Sequence, residues 1–155
     1  MKVLFLDFDG VLNSNVWFKA NKDAILAQTT FLARDAAEID PIALARVRRV
    51  VELTGAQIVV SSSWRIGNPI DRLREIIKEA GWPDAPIIGV TPWPRNTTFR
   101  GDEVALWLKQ HPKVTKFVCL DDDGDFHPDQ SLVQTSWDDG IQECHVERMI
   151  ELLNG

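Results

Sequence analysis

Short unbroken apolar runs alternate along this chain with stretches in which apolar residues recur every three or four positions. Val3–Leu6 is such a run, ended by Asp7, and reads as a strand buried on both faces. Asp40-Pro41 supplies an N-cap carboxylate followed by proline at the first helical position, so a helix is predicted from there to about Thr54, stopped by Gly55. A second strand covers Gln57–Val60 and runs into Ser61-Ser62-Ser63. Asn68-Pro69 repeats the helix-start signal; Ile70, Leu73, Ile77 and Ala80 keep helical spacing, and Gly81 closes the element. Pro86–Val90 reads as a strand, the proline-bearing stretch Thr91–Thr98 as a loop, and Gly101–Gln110 as a helix. Lys116–Leu120 is a further strand leading into Asp121-Asp122-Asp123, and Leu132–Gln134 reads as a last one. Ile141, His145, Met149 and Leu152 mark the inner face of a final helix capped by Asn154-Gly155. The pattern is weakest over Asn13–Glu38, where it supports one helix across Ala24–Ala37.

Strands alternating with amphipathic helices predict an α/β fold with a mainly parallel sheet. A length of 155 residues with 45% hydrophobic positions suits one domain, residues 1–155, with a core large enough to need no disulfide or structural metal. There is no internal repeat and no linker. No apolar run approaches the roughly 20 residues of a membrane span. Carboxylates interrupt the first apolar stretch before a signal-peptide core could form, so the first residues are read as part of the fold. Seventeen basic against twenty-three acidic residues give a net charge of −6, which disfavours non-specific binding to nucleic acid or anionic membranes. Cys119 and Cys144 form no CxxC pair and read as core thiols in a reducing, cytoplasmic setting.

Acidic residues gather where predicted strands end. Ligands of parallel α/β sheets bind at the carboxyl ends of strands. Asp7 and Asp9 follow the first strand, Ser61 the second, and Asp121 and Asp122 the fourth. So many carboxylates in one crevice repel each other unless a cation neutralises them. An all-oxygen set favours a hard ion, and Mg²⁺ suits phosphate chemistry. Each piece alone has a bland reading: Asp-x-Asp-Gly is a common turn, and an Asp triplet is commonly solvated surface. A calcium loop starting at Asp121 fails, because its sixth position would need glycine and its twelfth glutamate, whereas Leu132 stands twelfth. The three histidines stand apart from one another, which argues against zinc.

In order along the chain, Asp7-Phe8-Asp9-Gly10-Val11, a strand ending in Ser61, a basic residue opening a helix, and a strand ending in Asp121-Asp122 resemble the haloacid dehalogenase (HAD) superfamily. More narrowly, Asp9-Gly10-Val11-Leu12-Asn13, Ser61-Ser62-Ser63-Trp64-Arg65, the stretch Arg100–Leu108 and Leu120–Asp123 resemble the HAD domain of Swiss army knife RNA-repair proteins. The resemblance spans Lys2 to about Asp125. It implies a three-layer α/β/α Rossmann-like core, essentially capless, with room for a small lid within residues 13–40.

It also implies a Mg²⁺-dependent phosphomonoesterase in which Asp7 is the nucleophile and forms an aspartyl-phosphate. Asp9 would be the general acid and then the base for the hydrolytic water. Metal ligands would be Asp7, the Asp9 carbonyl and Asp122, with Asp121 either supporting a ligand from behind or taking its place. Ser61, with Ser62 as fallback, and Gly10 would bind the phosphoryl group. Arg100 is the choice for the basic motif over Lys109, Lys113 and Lys116; most family members carry lysine there, and arginine offers a planar fork of donors instead. Arg65 would bind a second phosphate or pair with a sheet-end acid.

Six tryptophans and no tyrosine are unusual. Packing is their default role; Trp17, Trp64 and Trp93 are placed to flank the crevice and stack on a base or sugar. The expected partner is a phosphorylated small molecule or a nucleic-acid end, with no membrane. Two rival readings stand beside a small-molecule phosphatase: an end-healing phosphatase of nucleic-acid repair, and a non-catalytic phosphate-binding or signalling module. A receiver-like domain would carry its acidic pair after the first strand and its phosphorylated Asp later, the reverse of the order here.

Overall fold

The computed structural model describes residues 1–155. Its strands are β1 (Lys2–Leu6), β2 (Gln57–Val60), β3 (Ile87–Val90), β4 (Lys116–Asp121) and β5 (Leu132–Gln134). The helices are α1 (Asn15–Leu26), α2 (Phe31–Ala37), α3 (Pro41–Thr54), α4 (Ile70–Glu79), α5 (Arg100–Gln110) and α6 (Glu143–Asn154), with a 3₁₀ turn at Ser63–Arg65. All strand pairs are parallel, in the order β3-β2-β1-β4-β5. This is the three-layer, Rossmann-like arrangement expected.

Alternation along the strands builds the layers. Leu4 and Leu6 of β1, with Ile58, Val60, Val118 and Leu120, meet α3, α4 and α6 in the main core. Val3, Phe5, Val59 and Cys119 point the other way, onto Val104 and Trp107 of α5. Trp107 packs edge-on against Phe5, with ring centroids 5.5 Å apart. The chain moves outward from β1 to β2 and β3, then crosses back through α5 to β4 on the far side of β1. Strand order therefore reverses between β1 and β4, the position at which open α/β sheets bind their ligands.

Several local expectations are corrected. Residues 13–40 hold two helices rather than one across Ala24–Ala37. Ser14 caps α1 by accepting from the Trp17 N–H, the chain breaks after Leu26, and Thr30 caps α2 by accepting from Ala33. The inner face of α6 is Val146, Met149 and Leu153. Ile141 is buried but precedes the helix, and the His145 ring accepts from the Gln142 N–H as half of a capping box. Asn68 does not cap α4; its side chain turns back to donate to the Trp64 carbonyl, and Pro69 occupies the cap. Cys119 lies in the core as expected, whereas Cys144 sits on the exposed side of α6. No helix is long and apolar enough to cross a membrane.

Candidate active site

The parallel ladders continue one residue past the strands and fix the crevice residues through their backbones. Asp7 N–H donates to the Leu120 carbonyl at 3.0 Å, and Ser61 N–H donates to the Leu6 carbonyl at 3.0 Å. Asp7 and Asp121 thus stand side by side at the ends of β1 and β4, at the point where strand order reverses. Asp122 follows immediately. Carboxylate oxygens of Asp7, Asp121 and Asp122 lie within 4.8 Å of one another.

Burial makes this cluster electrostatically costly. Desolvation, then the Asp121 charge, pushes the Asp7 carboxyl well above the usual carboxylate range, against the pull of Arg100. Asp121 is raised to about 6, mainly by desolvation, with Asp122 adding to it. The Asp123 N–H, which donates to Asp121 Oδ1 at 2.9 Å, and Arg100 oppose that rise. Asp122 is raised by desolvation and then by Asp123. Asp121 Oδ2 is buried with no hydrogen-bond donor. An orphaned carboxylate oxygen among three crowded acids fits a hard cation, which would supply the missing positive charge.

Arg100 opens α5 and reaches into this group. Its Nη1 lies 3.9 Å from Asp7 Oδ1 and 3.9 Å from Asp121 Oδ2, and is buried without a hydrogen-bond partner. Its backbone N–H is held by Asp125 Oδ2 at 3.1 Å, and its Nε lies 3.8 Å from Glu103 Oε2. Lys109 and Lys113 are exposed toward the far end of α5, and Lys116 begins β4, at the opposite end of that strand from Asp121.

Asp9 and Gly10 form the turn after β1. Asp9 Oδ1 accepts from Trp64 Nε1 at 3.0 Å and from Asn13 Nδ2 at 2.9 Å. Gly10 has φ +75°, a backbone that favours glycine, and a Cβ there would sit 2.4 Å from Asp122 Cγ. Thr135, just beyond β5, donates to the Gly10 carbonyl at 2.6 Å and ties the turn to the sheet. Ser61 and Ser62 are both buried at the end of β2. Ser62 Oγ is taken by the Trp64 N–H at 3.2 Å.

Arg65 lies behind Ser61 and Ser62. Its guanidinium is buried, with Nη2 2.6 Å from Glu103 Oε2, Nε on the Thr91 carbonyl and Nη1 on the carbonyls of Ser61 and Ser62. It pairs with an acid of α5 rather than with one at a sheet end. Among the tryptophans, Trp17 donates to the Ala37 carbonyl, Trp64 to Asp9, and Trp93 is half exposed beside the Arg65 guanidinium at 5.6 Å. Trp82 and Trp107 are buried.

Asn13, Glu103 and Thr135 complete this network, and none of them stands out in the sequence. Asn13 and Glu103 are four and three residues from Asp9 and Arg100, respectively. Thr135 had no local signal, because only the pairing of β4 with β5 brings it to Gly10.

A family model described as the HAD domain in Swiss Army Knife RNA repair proteins matches residues 3–146. The chain belongs to this family, so it is a HAD-superfamily domain carrying an acidic cluster at the reversal point of its sheet. No curated protein and no solved structure matches it.

Proposed function

We propose that the chain is a Mg²⁺-dependent phosphomonoester hydrolase working through an aspartyl-phosphate on Asp7. The observation that carries this reading is the convergence of Asp7, Asp121 and Asp122 within 4.8 Å, with Arg100 Nη1 at 3.9 Å from two of them. Asp7, Asp121 and Asp122, with the Asp9 carbonyl, would hold the cation, which neutralises the phosphoryl oxygens and keeps Asp7 ionised when bound.

Asp7 attacks phosphorus and the bond to the ester oxygen breaks, with Asp9 giving that oxygen its proton. Water then attacks the phosphorus, Asp9 takes its proton, and the bond to Asp7 breaks to release phosphate. Arg100 offsets charge on Asp7 and on the transferring group. Ser61 is the hydroxyl for the phosphoryl oxygens, since the Ser62 hydroxyl caps the 3₁₀ turn. Gly10 lets the backbone approach, and Arg65 acts one layer behind by holding the carbonyls that follow β2.

A nucleic-acid end is the second substrate reading, supported by the family's description as part of RNA-repair proteins. We place the protein in the cytoplasm, a reading supported by its unpaired cysteines. Phosphate release from p-nitrophenyl phosphate and from 5′- and 3′-phosphorylated oligonucleotides, with Mg²⁺ or EDTA, tests the function. Turnover that needs Mg²⁺ and disappears in Asp7→Asn is expected. Absence of turnover on all of these by folded, Mg²⁺-loaded protein contradicts it and moves weight to the non-catalytic module.

A further inference from the structure

Both N–H groups that hold Asp9 bind the same oxygen. Trp64 Nε1 and Asn13 Nδ2 donate to Asp9 Oδ1 at 3.0 and 2.9 Å. Neither donor can be reversed. An indole N–H only donates, and the Asn13 amide is oriented by its own Oδ1, which accepts the Gly10 N–H at 2.9 Å. Each donor is itself braced. The Trp64 ring packs edge-on against buried Phe8 at 5.2 Å, the Trp64 backbone N–H donates to Ser62 Oγ, and the Trp64 carbonyl accepts from Asn68 Nδ2. Asn13 is buried in the turn whose glycine it bonds.

A carboxylate oxygen that accepts two N–H bonds has both in-plane lone pairs occupied, so a proton on Asp9 must sit on Oδ2. We propose that Trp64 and Asn13 are positioning residues that confine the transferable proton of Asp9 to Oδ2 and fix that oxygen's direction. This rests on the reading of Asp9 as general acid given above. In the first step the proton leaves Asp9 Oδ2 for the departing ester oxygen as the P–O bond breaks; in the second, Oδ2 takes a proton from the attacking water. Trp64 is thereby assigned to acid delivery and not to stacking on a base.

Such residues matter in proportion to the proton demand of the leaving group. An alkoxide needs protonation as it departs, whereas p-nitrophenolate is a stable anion and departs without it. The test compares kcat/KM, which reports steps through formation of the aspartyl-phosphate, for p-nitrophenyl phosphate and for glycerol 2-phosphate. Trp64→Phe keeps the packing on Phe8 and removes only the donor; Asn13→Ala removes the second donor independently. Each is expected to lower the alkyl-to-aryl kcat/KM ratio by about 10-fold or more, part of the roughly 10²–10⁴-fold a general acid contributes. Asp9→Asn should lower it further, and Asp7→Asn should abolish both activities.

An equal loss on both esters, or an unchanged ratio in both variants, overturns the proposal. Persistence of turnover in Asp7→Asn, or an unskewed ratio in Asp9→Asn, instead overturns the catalytic reading beneath it. A readout independent of activity is the indole N–H resonance that Trp64→Phe deletes. It should move upfield in Asp9→Ala, and its failure to move overturns the contact.

Discussion

Gly10 shows how little freedom one residue of the crevice has. It combines φ +75° with an approach that puts any added Cβ 2.4 Å from the Asp122 side chain. Gly10→Ala should cost about 1–3 kcal/mol of stability from the backbone alone. It should also weaken Mg²⁺ binding, because Asp122 must turn away. Chemical denaturation and Mg²⁺ titration of the same variant check the two effects separately. A variant that loses stability but binds Mg²⁺ as the wild type does would show that Asp122 is not a ligand. Residues of this kind were readable in the sequence because the chemistry needs fixed types at fixed spacing: Asp7, Asp9 and Gly10 on one turn, Asp121 and Asp122 on another. Arg100 was readable because it opens a helix, although its choice over three lysines rested on order along the chain. The partners that hold these groups were not readable as such. Glu103 reads as a surface acid of α5 until the fold brings buried Arg65 to 2.6 Å and Arg100 to 3.8 Å from it.

Among the elements, those buried on both faces were the most legible. β1, β2 and β4 lie between two helical layers, so their sequences are continuous apolar runs with abrupt polar ends. α1 is hard to read for the opposite reason. Only Ile25 of its residues is buried, so it carries no full apolar stripe, and its boundaries depend on the Ser14 cap. In α6 the inner face was legible at Met149 but not at its start, where Gln142 caps the helix after Ile141 and Val146 rather than His145 enters the core. Arg65 joins several elements through one side chain, tying the 3₁₀ turn, the carbonyls after β2, Thr91 after β3 and Glu103 of α5. Arg65→Met should therefore destabilise by about 3–5 kcal/mol, as expected when one partner of a buried pair is left behind. Glu103→Gln should cost less, since Arg65 keeps three carbonyl acceptors and the amide can still accept. Urea unfolding of both variants gives the order, and an Arg65→Met cost below that of Glu103→Gln would refute this division of labour.

Across the whole molecule, the cluster trades stability for chemistry. Asp7, Asp121 and Asp122 all titrate above their ordinary values in the fold, with Asp121 near 6. A raised carboxyl binds protons more readily folded than unfolded, so its burial as an anion opposes folding at neutral pH. That penalty is relieved as pH falls through the raised values toward the ordinary carboxylate range. Metal-free Asp121→Asn should accordingly be more stable than the wild type at pH 7.5, by on the order of 1 kcal/mol or about 2–4 °C in Tm. The advantage should shrink toward pH 5. Mg²⁺ should raise the wild-type Tm at pH 7.5 and progressively less below about pH 6, because protons compete for the same oxygens. A Mg²⁺ effect that is flat with pH would place the ion elsewhere.

Catalysis through Asp7 requires a covalent phosphoryl group on its carboxylate, which an acid quench traps. Wild-type protein with Mg²⁺ and a ³²P-labelled phosphomonoester, quenched in acid within the first turnover, should carry label that hydroxylamine removes, as an acyl phosphate does. Peptide mapping should place it on the segment bearing Asp7, and Asp7→Asn should carry none. Turnover without any trapped label, or label mapped to another side chain, would contradict the account.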